Sequence, residues 1–267
     1  MKNIAHLIFF TLFIACKKDK TDPEPKRMWY WDDCKIQTFQ LDKLNYVIDY
    51  GKEGYPSKVS IQHQYLNTTY LFKYEGDKII EIIRLDDNKI NRKVKLIYDR
   101  TRLASVHWFD PVTDPKTSKT DTVEMRRFEF YYSSSDKPTS STVFSYDSKI
   151  SNKLLPITQY EYVYDDHRNV SQFKWSVFSA GQSNGPKASV DLYYDNKPAT
   201  GKFLNLFRFC YYYQDDDSVT ALFSTNNWTR SYSSHNDSER KLDLAYDESG
   251  NAKSRFFGFS DIIWRCD

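Results

Sequence analysis

Glycine, methionine and net charge are all scarce in this chain of 267 residues, which has 8 Gly, 3 Met and a formal charge of only +2. So few glycines argue against a glycine-rich loop that cradles a phosphate. A charge this close to zero gives no basic field of the kind that binds nucleic acid, so we expect no nucleic-acid partner. The mean hydropathy of −0.71 excludes a bundle of membrane-spanning helices.

Sequence motifs for metal binding or covalent chemistry are scarce as well. There is no Cys-x-x-Cys pair and no Walker-type lysine loop, and beyond the N-terminal segment the histidines are widely spaced, at His63, His107, His167 and His235. The acidic runs at 165–166 and 214–218 lack the ligand spacing of an EF-hand loop. Most aspartates follow a strand-like run, where turn formation explains them. We therefore predict no metal site, no cofactor and no enzyme.

Aromatic residues are abundant instead, at 17% of the chain, with 21 Tyr and 18 Phe. These residue types favour the pleated surface of a sheet. The pattern is clearest at 158–178, where Tyr160, Tyr162 and Tyr164 alternate with other residues, the polar run Asp165–Asn169 follows, and alternation resumes from Val170. Alternation puts one aromatic row on one face, and Asp and Asn favour tight turns. The stretch predicts a β-hairpin.

Variations of this unit recur along the chain. Six strand-like runs end in a tyrosine that a polar turn follows, namely Tyr74, Tyr98, Tyr132, Tyr164, Tyr194 and Tyr246. A further hairpin is expected around the turn at 51–56, and the last unit is expected to return as a strand over 252–259. So long a series of hairpins must curl to avoid exposing its edges. The predicted fold class is all-β, an antiparallel meander that forms a strongly curved sheet or half-open barrel.

The N-terminal segment is predicted to be an export signal and not part of the fold. Lys2 precedes a short apolar run, Ile4–Ala15, which has the proportions of a signal peptide. The Ala15-Cys16 junction resembles a bacterial lipobox, which predicts cleavage before Cys16 and a lipid on that residue. We divide the chain into a lipoprotein signal peptide (1–15), a lipidated Cys with a flexible tether (16–27) and a single β domain (28–267). An ordinary secretory signal with an incidental Cys is the alternative.

The lipid on Cys16 would be the membrane contact of the protein, and the outer membrane is its predicted address. Lys17 stands where an Asp would retain an enterobacterial lipoprotein at the inner membrane. The surface and the periplasmic face of the outer membrane both remain open. The folded part begins with Met28–Trp31, which we expect to form a first strand or a plug. An exposed aromatic patch that binds a sugar ring is the alternative for this segment.

Three cysteines would remain in the exported domain. Cys34 and Cys266 lie near its two ends, and domain termini often lie close together, so a disulfide between them is a hypothesis. Cys210 lies in an aromatic, strand-like run and is expected to be a buried small hydrophobe.

The Tyr-Asp pairs at the strand ends resemble those of YD-repeat (Rhs-type) proteins. The matching pairs are Tyr98-Asp99, Tyr164-Asp165, Tyr194-Asp195 and Tyr246-Asp247. The chain is also similar to uncharacterised Bacteroidota lipoproteins, in which a YD-x-K-x-P segment, a longer aromatic loop and Ser-x-Asn-Asn interrupt the hairpins. Here these segments are 194–198 and 224–227. The resemblance implies a hairpin array and no activity.

Exposed aromatic rings suggest a function, because they stack on sugar rings. The candidate ligand-binding aromatics are Trp108, Trp175 and Trp228; the alternative for each is a place in the core of the sheet. The leading hypothesis is a non-enzymatic cell-envelope lipoprotein that binds a glycan, a peptide or a partner protein on its curved face. The alternative is a structural or assembly component of the outer membrane with an envelope protein as its partner.

Overall fold

A computed structural model describes residues 28, 30, 34–63, 65, 67–114, 116–147, 153–179, 182–199, 201–211, 216–242, 244–253 and 259–266, with the backbone alone at 186 and 216–218. The predicted signal peptide, Cys16 and the predicted tether lie outside the described residues, as do Trp29 and Trp31. Met28 and Tyr30 are 5% and 0% exposed and lie outside every strand, so this segment is a plug at both positions.

The described residues form one antiparallel sheet of fifteen strands and two helices, which confirms the predicted all-β meander. The elements are β1 Lys35–Leu41, β2 Leu44–Tyr50, β3 Pro56–Gln62, β4 Thr68–Glu75, β5 Lys78–Asp86, β6 Lys89–Asp99, β7 Arg102–Thr113, β8 Thr120–Tyr132, β9 Pro138–Asp147, β10 Lys153–Tyr164, β11 Val170–Ser179, β12 Gln182–Pro198, α1 Lys202–Tyr211, α2 Asp216–Phe223, β13 Asn226–Ser233, β14 Ser238–Lys241 and β15 Phe259–Arg265. Each strand from β1 to β13 pairs with the next one in the chain, so β14 is an edge strand, and β15 returns to pair with β1.

The hairpin predicted at 158–178 is β10 and β11. Its two aromatic rows face each other across the pair, with Tyr160 opposite Trp175 and Tyr162 opposite Phe173. Tyr160, Tyr162 and Phe173 are buried, so this row belongs to the inner face of the sheet. The outer face carries ion pairs such as Lys73–Glu81 and therefore meets water.

We call the end of the sheet where even-numbered strands finish and odd-numbered strands begin, from β1 to β13, the near rim, and the opposite end the far rim. A tyrosine near the end of an even strand donates its hydroxyl hydrogen bond to a carbonyl near the start of the odd strand before it. The five pairs are Tyr50–Ile36 at 2.8 Å, Tyr74–Pro56 at 2.6 Å, Tyr132–Leu103 at 2.8 Å, Tyr164–Pro138 at 2.9 Å and Tyr194–Val170 at 2.9 Å. This tyrosine ladder fixes the register of neighbouring strands at the near rim.

The N-terminal plug takes the ladder position that Tyr98 does not fill. Tyr30 accepts a hydrogen bond from the Ile79 amide at 2.9 Å and donates one to the Asp77 carbonyl at 3.2 Å. Tyr98 lies beside Tyr30, and burial raises the pKa of Tyr98 well above its ordinary value. The first folded residues are therefore fastened to the same rim as the hairpin ends.

The acidic residue after the tyrosine holds the turn, as the sequence predicts. The Asn169 amide donates to Asp165 Oδ1 at 2.8 Å, and the Asn251 amide donates to Asp247 Oδ1 at the same distance. In each turn the aspartate amide also donates to the asparagine carbonyl, at 2.9 Å. These bonds end the preceding segment at a fixed residue.

Helices α1 and α2 correct the expected aromatic loop, and Cys210 lies in α1 and not in a strand. The Gly201 carbonyl accepts the amides of Leu204 and Asn205, which starts α1. Seven of the ten α1 residues are buried. Aromatic residues prefer strands, but here packing against the inner face of the sheet overrides that preference. Neither helix is long and apolar enough to cross a membrane, within the part of the chain that the structure describes.

The sheet curls around α1, and this helix fills the space at the inner face of the sheet. Phe207 makes ring contacts to Phe39, Tyr46, Tyr70 and Phe72 on β1, β2 and β4. Two residues further, Phe209 contacts rings on β7 and β8. Since α1 packs against the inner face of both regions, the curved aromatic face is not open, which corrects the expectation of ligand binding there.

The segments 194–198 and 224–227 clamp the two ends of the helical insertion. The Ala199 amide donates to the Thr225 carbonyl at 2.7 Å. Asn226 and Asn227 donate their side-chain amides to the carbonyls of Lys197 and Pro198, each at 3.0 Å. The two helices therefore form an insertion between β12 and β13, which begins and ends at the same place on the near rim.

The end of the chain differs from the expected final hairpin. Tyr246 and Ala252 form a single bridge instead of two strands, and the last strand is Phe259–Arg265 instead of 252–259. We call the segment 244–253 the latch. Tyr246 donates to Asp195 on β12, while the Ala252 carbonyl accepts Trp264 Nε1 of β15 at 2.9 Å. The latch thus joins strands from opposite ends of the open sheet.

A disulfide between Cys34 and Cys266 lies at the near rim, next to the latch. Its two Cα atoms are 4.4 Å apart. Asn251 of the latch lies beside both sulfur atoms, at 3.7 Å. The bond fastens the start of β1 to the end of β15, which are 232 residues apart in the sequence.

Candidate functional site

The three candidate tryptophans are not brought together by the fold. Trp108 and Trp228 are 0% and 2% exposed, so neither ring face can stack on a sugar, and the core alternative holds for both. Trp108 Nε1 donates to the Cys210 carbonyl at 2.8 Å. Trp175 on β11 is half-buried and meets His235 edge to face at 5.6 Å, without a neighbouring cleft among the described cavities.

A cleft of about 240 Å³ opens at the near rim, and we call it the Lys137 cleft. It lies between the turns that follow β6 and β8 and the ends of the two helices. Its lining is Met28, Thr101, Arg102, Leu103, Tyr132, Asp136, Lys137, Lys202, Leu222 and Phe223. Three cationic side chains and one carboxylate therefore surround an apolar floor.

Lys137 is the most perturbed of the charged groups in this cleft. Its ammonium donates to the Phe223 carbonyl at the C-terminal end of α2, where a cation is favoured. Burial, followed by the positive charges of Lys202 and Arg168, lowers the pKa of Lys137 to about 8. Burial thus disfavours the charge of Lys137, and the neighbouring cations add to that cost.

The other charged groups are held in place. Arg102 donates to Asp99 at 2.8 Å, and its guanidinium lies over the Tyr132 ring at 5.1 Å. Asp136 pairs with Arg168, and although its partial burial opposes ionisation, that bond and the Arg168 charge keep the pKa of Asp136 below its usual range. No spacing in the sequence links these residues, because the helical insertion supplies Lys202 and Phe223 from far along the chain.

Met28 connects this cleft to the N-terminus. Its side chain lines the cleft, and its amide donates to Asp77 Oδ2 at 2.9 Å. The chain therefore enters the folded domain at the cleft, on the near rim.

A second hollow, of about 190 Å³, lies at the far rim. Its lining is Tyr65, Asn67, Thr68, Arg84, Asp86 and Asp87. Tyr65 is 80% exposed, the highest value among the large hydrophobic side chains of the described residues. We call this the Tyr65 hollow.

A hydrogen-bonded chain of Ser105, His107 and Glu124 lies on the outer face. Ser105 Oγ is 2.8 Å from His107 Nε2, and His107 Nδ1 is 2.7 Å from Glu124 Oε1. A register shift beside Phe109 brings Glu124 to this position. The order of groups is that of a hydrolytic triad, but Ser105 is only 9% exposed and none of the described cavities opens there. These three hydrogen-bonded side chains therefore help to hold β7 against β8.

The Gly-x-Ser-x-Gly sequence at 181–185 also matches a hydrolase signature. That signature requires a strand, a sharp turn and a helix, with the serine in the turn. Ser183 lies instead in β12, opposite Phe178 of β11. Residue 181 lies outside the described residues.

Metal and thiol chemistry find no support in the described parts of the chain. No group of three or more metal-type ligands occurs among them. Cys210 is buried, and burial raises the pKa of its thiol. Cys210 is thus the small buried hydrophobe that the sequence predicts.

Comparison with known proteins gives a likeness to solved structures only. No protein-family model and no curated protein matches this sequence. A porin-like protein from Bacteroides vulgatus has 14% identity and a TM-score of 0.46, over 86% of this chain and 96% of that one. A porin-like protein from Bacteroides uniformis has 10% identity and a TM-score of 0.47, over 86% and 92%. A DUF3836 family protein from Parabacteroides distasonis has 17% identity and a TM-score of 0.21, over 43% and 76%.

Proposed function

We propose that the protein is a lipid-anchored binding protein of the outer membrane, and that its Lys137 cleft takes a small anion that carries an apolar group. The observation that carries the proposal is the lining of this cleft, where Arg102, Lys137 and Lys202 face an apolar floor. The proposal assigns no reaction to the protein.

The positive charge of the Lys137 cleft favours an anionic ligand. Burial is the main cause of the lowered pKa of Lys137, and repulsion by Lys202 and Arg168 adds to it and outweighs the attraction of Asp136. A carboxylate or phosphate placed between Lys137 and Lys202 would relieve that repulsion and gain charge-assisted hydrogen bonds.

The floor of the cleft selects an apolar group beside the anion. Leu103, Leu222 and Phe223 are buried at its base. Covering such surface removes it from water and adds affinity in proportion to its area. The volume lies below the roughly 300–1,000 Å³ of pockets for drug-sized molecules, so the ligand is short.

Titration of the anchor-free form that begins at Lys17 tests this function. Octanoate and octyl phosphate should bind, and octanol should bind about tenfold more weakly, because it lacks the charge. Lys137→Met and Lys202→Met should each weaken octanoate binding by about tenfold. Lys174→Met, on the exposed outer side of β11, is the matched control and should leave the affinity unchanged. Equal binding of octanol and octanoate would overturn the proposal.

The dependence of binding on pH sharpens this test. Lys137 is charged below its pKa of about 8 and neutral above it. Octanoate affinity should therefore fall as the pH rises through about 8, and Lys137→Met should remove this fall. An affinity that is flat over this range would exclude Lys137 as an anion ligand.

Lipidation and address need a separate experiment. Metabolic labelling with an alkyne fatty acid should mark the wild-type protein and not Cys16→Ala. Protease treatment of intact cells then distinguishes the two faces of the outer membrane, because only a surface protein is digested before lysis. An unlabelled wild-type protein would leave the secretory-signal alternative.

The edge strands give the assembly alternative little support. An apolar, flat edge would favour assembly with an envelope protein, whereas β14 is four residues long, with every side chain exposed and three of them charged. On β15 the Ile262 amide already donates to the Lys253 carbonyl of the latch, at 3.2 Å.

A further inference from the structure

The Tyr65 hollow at the far rim has a composition unlike that of the Lys137 cleft. We propose that it is a second binding site, which takes one neutral sugar ring of a glycan. The proposal does not depend on the Lys137 cleft, and it uses none of the three tryptophans that the sequence suggested.

An aromatic ring is presented to solvent at this hollow. Tyr65 is 80% exposed, although an isolated tyrosine usually covers its ring against the fold. Its position is defined on one side, because the Tyr65 amide donates to His63 Nδ1 at 3.2 Å and the two rings lie 5.8 Å apart. A ring held in this way offers a flat apolar face to the C–H groups of a sugar.

Polar groups around the ring are already oriented. Asp86 Oδ1 accepts hydrogen bonds from Thr68 Oγ1 at 2.8 Å and from Arg84 Nε at 3.0 Å. A carboxylate has about four acceptor positions, so Asp86 keeps acceptor capacity for a ligand hydroxyl. Its orientation is fixed before a ligand arrives, which lowers the entropic cost of binding.

Two further polar side chains complete the hollow. The Asp87 amide donates to the Asn67 carbonyl at 3.0 Å, which joins the loop after β3 to the turn after β5. The side chains of Asn67 and Asp87 line the hollow, and neither forms a hydrogen bond to another described side chain. Together they offer an amide donor and acidic or amide acceptors, the combination that pairs with vicinal hydroxyls.

The charge and the volume of the Tyr65 hollow both favour a single neutral sugar ring as the ligand. One guanidinium, that of Arg84, faces two carboxylates, those of Asp86 and Asp87, so an acidic sugar would be repelled. A volume of about 190 Å³ suits one ring and not a long chain. A divalent cation is a different proposal, and the described residues here supply only two acidic ligands.

Saturation-transfer NMR tests the site with a panel of methyl glycosides of glucose, galactose, mannose and N-acetylglucosamine. The wild-type protein should bind at least one of them with a millimolar dissociation constant. Tyr65→Ala should weaken that binding at least tenfold, and Asp87→Asn should weaken it to a smaller extent. Tyr193→Ala, which removes another exposed tyrosine, is the matched control and should bind like the wild type.

Four outcomes would overturn the inference. They are no binding of any glycoside by the wild type, unchanged binding by Tyr65→Ala, loss of binding with EDTA that calcium restores, and competition by octanoate. Octanoate binding by Tyr65→Ala is measured in parallel, and it should match the wild type because the Lys137 cleft lies at the opposite rim. A failure of one site can then be told from a failure of the other.

Discussion

The two rims of the sheet are held by different means. At the near rim, side chains bond to backbone groups of other strands, through the tyrosine ladder, the clamp of the insertion and the latch. At the far rim, the β1–β2 and β5–β6 connections are tight turns, because Asp42-Lys43 and Asp87-Asn88 have positive φ at their two central residues. Turns of this kind fit the twist of the strands and need few long-range bonds.

This difference assigns different tasks to the two rims. Contacts at the near rim join residues far apart in the sequence, so they hold the curled sheet in shape and enclose the Lys137 cleft. Turns at the far rim act locally, so a loop such as that around Tyr65 can vary without loss of the fold. Changes at the near rim should therefore be the more costly, and the following predictions test this from the largest effect to the smallest.

Alkaline pH should destabilise the fold, and the buried tyrosines of the near rim should contribute much of this loss. Burial raises the pKa of Tyr30 from 10.0 to about 12, and it also raises the pKa values of Tyr74, Tyr132 and Tyr164. The fold favours the neutral phenols, so this stability is complete below about pH 10 and is lost as the pH rises through the folded values. By pH 12, Tyr30 alone should lower the unfolding free energy by about 2 kcal/mol.

Denaturant unfolding between about pH 9 and pH 12 measures this loss. Tyr30→Phe is the control, and its stability should fall less steeply, because the phenol at that position is gone. Stability that stays level while the tyrosines ionise would contradict the prediction.

Removal of the disulfide is the next largest change. A closed loop with a separation of 232 residues restricts the unfolded chain strongly, so Cys34→Ala with Cys266→Ala should lower the unfolding free energy by about 2–5 kcal/mol. Denaturant unfolding of the anchor-free form measures the change. Alkylation of the unfolded, unreduced wild type should modify Cys210 alone; three reactive thiols would mean that the bond does not form.

Asn169→Ala should disrupt the junction between the β10–β11 turn and the end of the insertion. Asn169 is 2% exposed, and its Oδ1 accepts the amides of Thr225 at 2.9 Å and Asn226 at 2.8 Å. The substitution leaves these amides without that acceptor, and we expect a loss of about 2–3 kcal/mol. His167→Ala, an exposed change in the same turn, should cost less than about 0.5 kcal/mol in the same unfolding experiment. Equal effects of both variants would count against the junction.

Tyr164→Phe isolates one rung of the tyrosine ladder. It removes the hydroxyl that donates to the Pro138 carbonyl at 2.9 Å and keeps the ring, so we expect a loss of about 1 kcal/mol. Tyr131→Phe removes a hydroxyl that bonds to Glu129 on the outer face, where the ring is 44% exposed, and should cost less than about 0.5 kcal/mol. Thermal or denaturant unfolding of the pair compares them directly; a larger loss in Tyr131→Phe would refute the ladder as a source of stability.

Hairpins could be predicted from the sequence because their signals are local. The alternation at Tyr160–Tyr164 and the turn bonds of Asp165 depend on residues a few positions apart, and both appear in the structure. Helix α1 was not predicted, although Lys202, Asn205 and Arg208 recur at a helical spacing of three, because its aromatic residues favour strands.

The candidate sites could not be predicted for a related reason. The lining of the Lys137 cleft combines residues from 28 to 223, which only the curl of the sheet brings together. Trp108 and Trp228 were attractive because large rings bind sugars, but the same rings also fill a core. Exposure separates the two roles, and it depends on the tertiary fold.

The smallest effect is expected at the far rim, in the turn beside the Tyr65 hollow. Asn88 has a φ of 62°, a conformation that glycine adopts without strain, so Asn88→Gly should change the unfolding free energy by less than about 0.5 kcal/mol. The same substitution at Asn45, inside β2, should cost about 1 kcal/mol, because glycine weakens a strand. Denaturant unfolding of both variants and the wild type measures these two changes in unfolding free energy. A costly Asn88→Gly would mean that the far rim, like the near rim, depends on side-chain bonds and not on turn geometry.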